Sequence, residues 1–82
     1  GEFFMINEQD IFYSFDVNGR KNKYKCLKVI YLDTFGKTYI AYEDSGKRIC
    51  LSVLCSNEEN LYLQPIVSSK EWRQVFEHLK TQ

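Results

Sequence analysis

Residues 61–79 read LYLQPIVSSKEWRQVFEHL, and this stretch decides how the chain closes into a domain. Residues 61–64 have the composition of a short strand, and Pro65 ends it because proline cannot donate a hydrogen bond to a sheet. Ser68 and Glu71 have the spacing of a capping box, which satisfies the first free N–H groups of a helix. Large apolar side chains then recur at i, i+3, i+4 and i+7, at Trp72, Val75, Phe76 and Leu79. The stretch predicts a strand, a stop and a capped helix whose apolar stripe, anchored by Trp72, covers a sheet.

Four further strands are predicted upstream, at residues 11–17, 24–32, 37–43 and 48–55. In the first, Ile11, Tyr13, Phe15 and Val17 alternate with Phe12, Ser14 and Asp16, the pattern of a strand with one face in the core. The segments between the strands carry turn signals, of which Asn18-Gly19 is the strongest. Short connections favour pairing between neighbours in the chain. We therefore predict an α+β fold, a five-stranded antiparallel meander sheet with one C-terminal helix packed on one face.

Length and composition indicate one small domain. The chain has 82 residues, of which 44% are apolar and 16% aromatic, a supply of core material that argues against disorder. Gly1-Glu2-Phe3-Phe4 precede the single Met5 and are interpreted as a cloning remnant, so we expect the domain to span residues 5–82. No apolar run approaches the ~20 residues needed to span a bilayer, and no signal-peptide pattern occurs, which makes the cytoplasm the expected location.

The cysteines favour reduced, structural thiols. An odd number, Cys26, Cys50 and Cys55, argues against a disulfide framework. A zinc site would need these three and His78. However, Cys50 and Cys55 are five residues apart in one predicted strand, so their side chains leave opposite faces. We expect no metal and no cofactor.

No catalytic residue is predicted, and we expect the protein not to be an enzyme. His78 is the sole histidine and lies near the end of the predicted helix, where capping or surface exposure is its ordinary role. The sequence contains neither a G-x-x-x-x-G-K-[ST] loop nor a G-x-G-x-x-G motif. The adjacent acidic pairs Glu43-Asp44 and Glu58-Glu59 fall in turns, where they are expected to be solvated.

Three short motifs carry a resemblance to a known family. They are Phe35-Gly36-Lys37-Thr38-Tyr39-Ile40, Leu63-Gln64-Pro65-Ile66 and Glu71-Trp72…Val75-Phe76. In their order the chain resembles the YrzB-like family of small bacterial proteins of unknown function, found mainly in low-GC Gram-positive bacteria. The resemblance implies the same succession of strands and helix and brings no catalytic residue. It also implies a strongly acidic surface, whereas this chain has eleven basic and eleven acidic residues and no net charge.

Two partner classes remain open. The face of the sheet that the helix cannot reach is expected to be exposed and to bind another protein or a second copy of the chain. Its candidate residues are Phe12, Ile30, Tyr39 or Tyr42, and Leu54. The alternative is nucleic acid, because single-strand binders combine a cationic groove with aromatic platforms. The candidate patch for this alternative comprises Arg20, Lys21, Lys23, Lys25 and Lys28, with Tyr13, Tyr24 and Tyr31 beside them. Net neutrality favours the protein partner.

Overall fold

A computed structural model describes residues 6–16, 18–56 and 61–81. Within them lie five strands and one helix: β1 (Ile11–Phe15), β2 (Lys21–Leu32), β3 (Lys37–Glu43), β4 (Ile49–Ser56), β5 (Leu61–Gln64) and α1 (Ser69–Lys80). The strands form one antiparallel sheet in the order β1-β2-β3-β4-β5. The predicted α+β meander with a C-terminal helix is thereby confirmed. The predictions for residues 1–5, for Val17 and for Glu58-Glu59 lie outside the described residues.

The first hairpin is tighter than predicted. β2 begins at Lys21 rather than at Tyr24, because Lys21 pairs with Phe15 and lengthens the ladder. The Asp16 carboxylate holds the turn by accepting hydrogen bonds from the N–H groups of Asn18 (2.9 Å) and Arg20 (3.0 Å). These bonds lower the pKa of Asp16, chiefly through the Arg20 N–H, so the turn carries a fixed negative charge.

A bulge at Leu27 divides β2 into two halves that face different ways. Cys26 pairs with Tyr42 while Lys28 pairs with the next residue of β3, Ala41, so Leu27 has no partner. Because side chains alternate along a strand, the extra residue places Cys26 and Ile30 on opposite faces of the sheet. An unbroken alternation through the predicted strand at residues 24–32 would place both on the same face, and this expectation is wrong because the bulge interrupts the period of two.

The sheet packs against two separate apolar clusters. The first, here called the helix core, lies between sheet and helix and consists of Ile30, Leu32, Tyr39, Val53 and Val75. The second, the inner core, lies on the other face and consists of Phe12, Cys26, Ile40 and Tyr42, with Tyr24, Cys50, Leu54 and Leu63 packed against it. The sheet curls until β1 approaches β5 to within 8 Å between Cα atoms. The curl gives the inner face a core of its own, in a nearly closed barrel.

The helix begins as predicted but is rotated from the predicted orientation. The Ser68 hydroxyl accepts a hydrogen bond from the Glu71 N–H at 3.4 Å, the first half of a capping box. The Glu71 carboxylate does not return to Ser68. It accepts hydrogen bonds from the Tyr39 hydroxyl (2.7 Å) and the Lys37 ammonium (2.9 Å) of β3. The helix is therefore attached to the sheet through its first turn.

This attachment turns the row Glu71–Val75–Leu79 toward the sheet. Val75 is fully buried, whereas Trp72 and Phe76 are 46% and 50% exposed. Each residue step turns the helix by about 100°, so the residue after a buried position points well away from it. The expectation that Trp72 and Phe76 belong to the buried stripe is wrong for this reason. No described helix is long and apolar enough to cross a membrane.

Candidate binding surfaces

The five residues predicted as an exposed protein interface are not exposed together. Ile30 and Tyr39 belong to the helix core and are buried beneath α1. Phe12 and Tyr42 are buried in the inner core, where Leu54 packs against them and is half-buried. The curl of the sheet buries the face opposite α1, which the sequence analysis had expected to be exposed. The expectation of an exposed apolar face at these residues is therefore wrong.

The predicted basic patch is brought together in large part. Lys21, Lys23 and Lys25 project from β2 on the side of the sheet that α1 packs against; Lys21 and Lys23 are exposed and Lys25 is half-buried. Lys28 lies on the same side, because the Leu27 bulge shifts it by one residue, and it is half-buried. Arg20 is exposed in the adjoining turn. The structure thus aligns the lysines that sequence reasoning had grouped.

The three tyrosines predicted to lie beside this patch are found in three different places. Tyr13 lies beside the lysines, and its ring centroid is 4.6 Å from the Lys21 ammonium. Tyr24 points into the inner core, where its ring contacts those of Phe12 (5.5 Å) and Tyr42 (4.7 Å). Tyr31 is exposed, but the pairing register places it on the opposite side of the sheet. Only Tyr13 of the three can act with the lysines.

Sequence reasoning missed two members of this surface. Ile11 and Phe15 flank Tyr13 on β1 and project on the same side, directly opposite Lys25 and Lys21. They are 50% and 64% exposed, while the intervening Phe12 and Ser14 are buried. We call the surface formed by Ile11, Tyr13, Phe15, Lys21, Lys23 and Lys25 the basic hairpin face. Both residues could have been predicted from the pairing of the hairpin, since residues opposite each other on paired strands share a face.

The lysines of the basic hairpin face are not neutralised within the described parts of the chain. The ion pairs found there join Lys37 to Glu71, Arg48 to Asp44, and Lys80 to Glu77, and involve none of the three lysines. Glu43 stands opposite Lys25 on β3 but makes no ion pair with it. The face therefore presents local positive charge on a neutral molecule.

A shallow cleft of about 240 Å³ continues the basic hairpin face past Ile11. Lys47, from the turn between β3 and β4, lines it together with Lys23 and Lys25. The Asp44 carboxylate on its rim is held by the N–H groups of Gly46 and Arg48, both at 2.9 Å. These bonds, led by the Arg48 N–H, lower the pKa of Asp44. The cleft combines lysines with two carboxylates, Glu43 and Asp44, of which Asp44 is already held by hydrogen bonds.

A second exposed surface lies on α1. Trp72 and Phe76 are one turn apart on the same side of the helix, and each is about half exposed. The Lys80 ammonium lies 5.5 Å from the centroid of the Phe76 ring and 3.3 Å from the Glu77 carboxylate. Val67, just before the helix, is almost fully exposed. We call Trp72 and Phe76 the helix aromatic pair.

The buried polar cluster of Glu71, Tyr39 and Lys37 has the character of a structural link. Hydrogen bonds from Lys37 and Tyr39 lower the pKa of Glu71, while burial, together with the Glu71 carboxylate, raises the pKa of Tyr39. Both pKa values are thereby moved further from 7, so neither group exchanges a proton readily near pH 7. The cluster fixes α1 on the sheet.

The thiols and the histidine lie in different environments. Cys50 packs against the inner core and Cys55 against the helix core, on opposite faces as predicted. All three cysteines are free, and burial raises the pKa of Cys26. His78 is exposed, with Nδ1 3.2 Å from the Gln74 carbonyl oxygen. Among the residues that the structure describes, no group of three or more His, Cys, Asp or Glu side chains could hold a metal ion.

Comparisons with known protein families, with curated proteins and with solved structures each found no match. The resemblance to the YrzB-like family stays a prediction from the sequence motifs.

Proposed function

We propose that this chain is a non-enzymatic interaction module that binds another protein through the helix aromatic pair. The observation that carries the proposal is the rotation of α1. The helix buries Glu71 and Val75 against the sheet and leaves its two aromatic side chains, Trp72 and Phe76, half exposed. Trp is among the residues most enriched at the energetic centres of protein interfaces. Aromatic rings that the fold does not bury are available to a partner.

The positive charges beside the helix aromatic pair indicate what kind of partner surface would be complementary to it. Arg73 is exposed beside Trp72, and the Lys80 ammonium lies over Phe76. A complementary surface would offer an apolar groove for the two rings and carboxylates at its rim, because opposite charges on facing rims speed and orient association.

The size of the pair sets the extent of the interface. A Trp or Phe buries about 150–250 Å², so the exposed halves of Trp72 and Phe76 offer together about 150–250 Å². A standard interface buries about 800 Å² per partner. The pair therefore supplies the centre of the contact, and neighbouring residues such as Val67 must supply its periphery.

The proposal is tested by affinity capture of the tagged protein from its own cells, with the wild type and two variants. We expect a stoichiometric protein partner to be retained by the wild type and lost from the double variant Trp72→Ala/Phe76→Ala. Tyr31→Ala is the matched control, because it removes an exposed aromatic ring from the other side of the sheet. Light scattering of the purified protein separates a second copy from a different partner. Equal recovery of the same partner by wild type and double variant would contradict the proposal.

We further propose that the protein acts in the cytoplasm, and the non-enzymatic part of the proposal is supported by the positions of its histidine and thiols. The single histidine is exposed on α1, whereas the three thiols pack in or against the two cores. Free thiols are ordinary in a reducing compartment. Activity-based labelling of the purified protein with thiol- and serine-directed probes tests the first part, and fractionation of its own cells tests the second.

A further inference from the structure

Strand β1 buries its less apolar side and exposes its more apolar one. It turns Phe12 and Ser14 inward and exposes Ile11, Tyr13 and Phe15. An ordinary half-buried strand does the opposite, because burial of apolar area is the main driving force of folding. We propose that the basic hairpin face binds single-stranded nucleic acid, independently of any protein bound at the helix aromatic pair.

The positive charge of the basic hairpin face favours an anionic ligand. Five of the eleven basic residues lie between positions 20 and 28, and no acidic residue lies between positions 17 and 32. Each exposed β1 side chain stands directly opposite a lysine, in the pairs Ile11–Lys25, Tyr13–Lys23 and Phe15–Lys21. A polymer whose backbone is anionic and whose side groups are flat and apolar matches such alternating rows. Nucleic acid has this chemistry, and sequence-tolerant binders use it through base stacking and phosphate contacts.

The spacing of the rings selects a single strand rather than a duplex. Tyr13 and Phe15 are two residues apart on a strand, and so are separated by about 6.6–6.8 Å. This is about twice the ~3.4 Å rise per nucleotide along one strand of B-form DNA. Bases stacked on both rings must therefore be pulled apart from each other, which a duplex does not permit. The Lys21 ammonium, now 4.6 Å from the centre of the Tyr13 ring, would move to a phosphate and uncover that ring.

The platform is rigid enough to be tested by substitution. Phe12 anchors β1 from the other side through its contacts with Tyr24 and Tyr42. The Asp16 carboxylate fixes the turn by accepting hydrogen bonds from the backbone N–H groups of Asn18 and Arg20 and from the side-chain amide of Asn22. Side chains of the basic hairpin face take part in neither, so their removal leaves the fold in place.

The experiment measures binding of labelled single-stranded DNA and RNA of one mixed sequence, and of the corresponding duplexes, by fluorescence anisotropy. We expect the wild type to bind the single strands more tightly than the non-specific range of ~10⁻⁴–10⁻⁶ M at physiological salt, and the duplexes less tightly. Neutralisation of three phosphates predicts a salt slope of about −2 in log–log form, or roughly twenty-fold weaker binding over a fourfold rise in salt.

Two sets of variants separate charge from stacking. The triple variant Lys21→Ser/Lys23→Ser/Lys25→Ser should lose the salt dependence together with the binding. Its matched control, Lys70→Ser/Arg73→Ser/Lys80→Ser, removes the same charge from the helix and should bind as the wild type does. Tyr13→Ala and Phe15→Ala should each weaken binding roughly 5- to 150-fold, the equivalent of ~1–3 kcal/mol of stacking per base. Tyr31→Ala should change nothing.

The inference fails if single-stranded binding is no tighter than the non-specific range, or if the helix triple variant weakens it as much as the hairpin triple variant does. It also fails if an acidic peptide binds the basic hairpin face and the oligonucleotides do not, because the face would then recognise protein. The variant Trp72→Ala/Phe76→Ala should retain nucleic-acid binding, and its loss of a protein partner is scored separately.

Discussion

The orientation of α1 can be tested by placing the same charged residue at two adjacent faces of the helix. Lysine is a good helix former, so Trp72→Lys and Val75→Lys leave the intrinsic helix propensity nearly unchanged. The two positions differ in burial, since Val75 has no exposed surface and Trp72 is 46% exposed. The apolar pattern of the sequence treats both as core positions. The structure predicts opposite outcomes.

At Val75 the substitution should abolish the folded state. It forfeits the burial of the valine, worth roughly 1.5–3 kcal/mol, and brings an ammonium into the helix core at a cost of several kcal/mol more. A domain of this size has a total stability of about 4–12 kcal/mol, at roughly 0.05–0.15 kcal/mol per residue. The combined cost therefore consumes most or all of it.

At Trp72 the protein should stay folded. Truncation of a fully buried aromatic residue costs about 3–5 kcal/mol, and the burial of Trp72 is only about half complete, which leaves about 2 kcal/mol. The lysine stem can cover part of the surface that the ring leaves. At about 4–8 °C per kcal/mol, the melting temperature should fall by roughly 8–16 °C.

Far-UV circular dichroism during heating and in urea measures both variants without relying on the tryptophan signal. A Val75→Lys protein that melts near the wild type, or a Trp72→Lys protein that is equally unfolded, would refute the orientation of the helix. The same Trp72→Lys protein, if folded, provides a second variant for the protein-binding experiment.

Two further predictions concern the helix attachment and one turn. Because hydrogen bonds from Lys37 and Tyr39 lower the pKa of Glu71, its stabilising effect should be complete above its ordinary value of 4.5 and be lost as the pH falls through the lower pKa of the folded state. The urea midpoint of the wild type should consequently fall more steeply below pH 4.5 than that of Glu71→Gln, and parallel curves would contradict the role of the carboxylate. Gly36 has a φ of +62° and open space around it, so Gly36→Ala should cost about 1–2 kcal/mol through the backbone alone. Gly46→Ala, at a position outside the left-handed region, is its control, and equal melting temperatures of the two variants would show that the turn does not require glycine.

The order of the strands and the start of the helix follow from local signals. Period-two alternation, the Asn18-Gly19 turn and the Ser68 cap each act within a few residues, so the sequence displays them directly. β3 and β5 were predicted with the bounds that the structure gives. Local patterns suffice where neighbouring elements in the chain are also neighbours in space.

The side chains that face the core could not be assigned in the same way. β1 has apolar residues on both faces, and its inward face is decided by the distant contact of Phe12 with Tyr42. The rotation of α1 is decided by the bond between Glu71 and Tyr39, which are 32 residues apart. Both depend on contacts between separate elements, which periodicity within one element does not report. For the same reason the lysines of the basic hairpin face were found from the sequence, while Phe15 was not.

The extra residue at Leu27 has a consequence for the evolution of this fold. β2 serves both cores, with Cys26 on one and Ile30 on the other, because the bulge changes the parity of the strand between them. Replacing either residue by another apolar one preserves this arrangement, whereas deleting one residue between them exchanges inside and outside for half of the strand. A diverged relative that keeps this arrangement must therefore avoid insertions or deletions of one residue between those two positions, even after their identities have changed. In an alignment of homologues we expect substitutions between these two positions to be common and single-residue gaps to be rare.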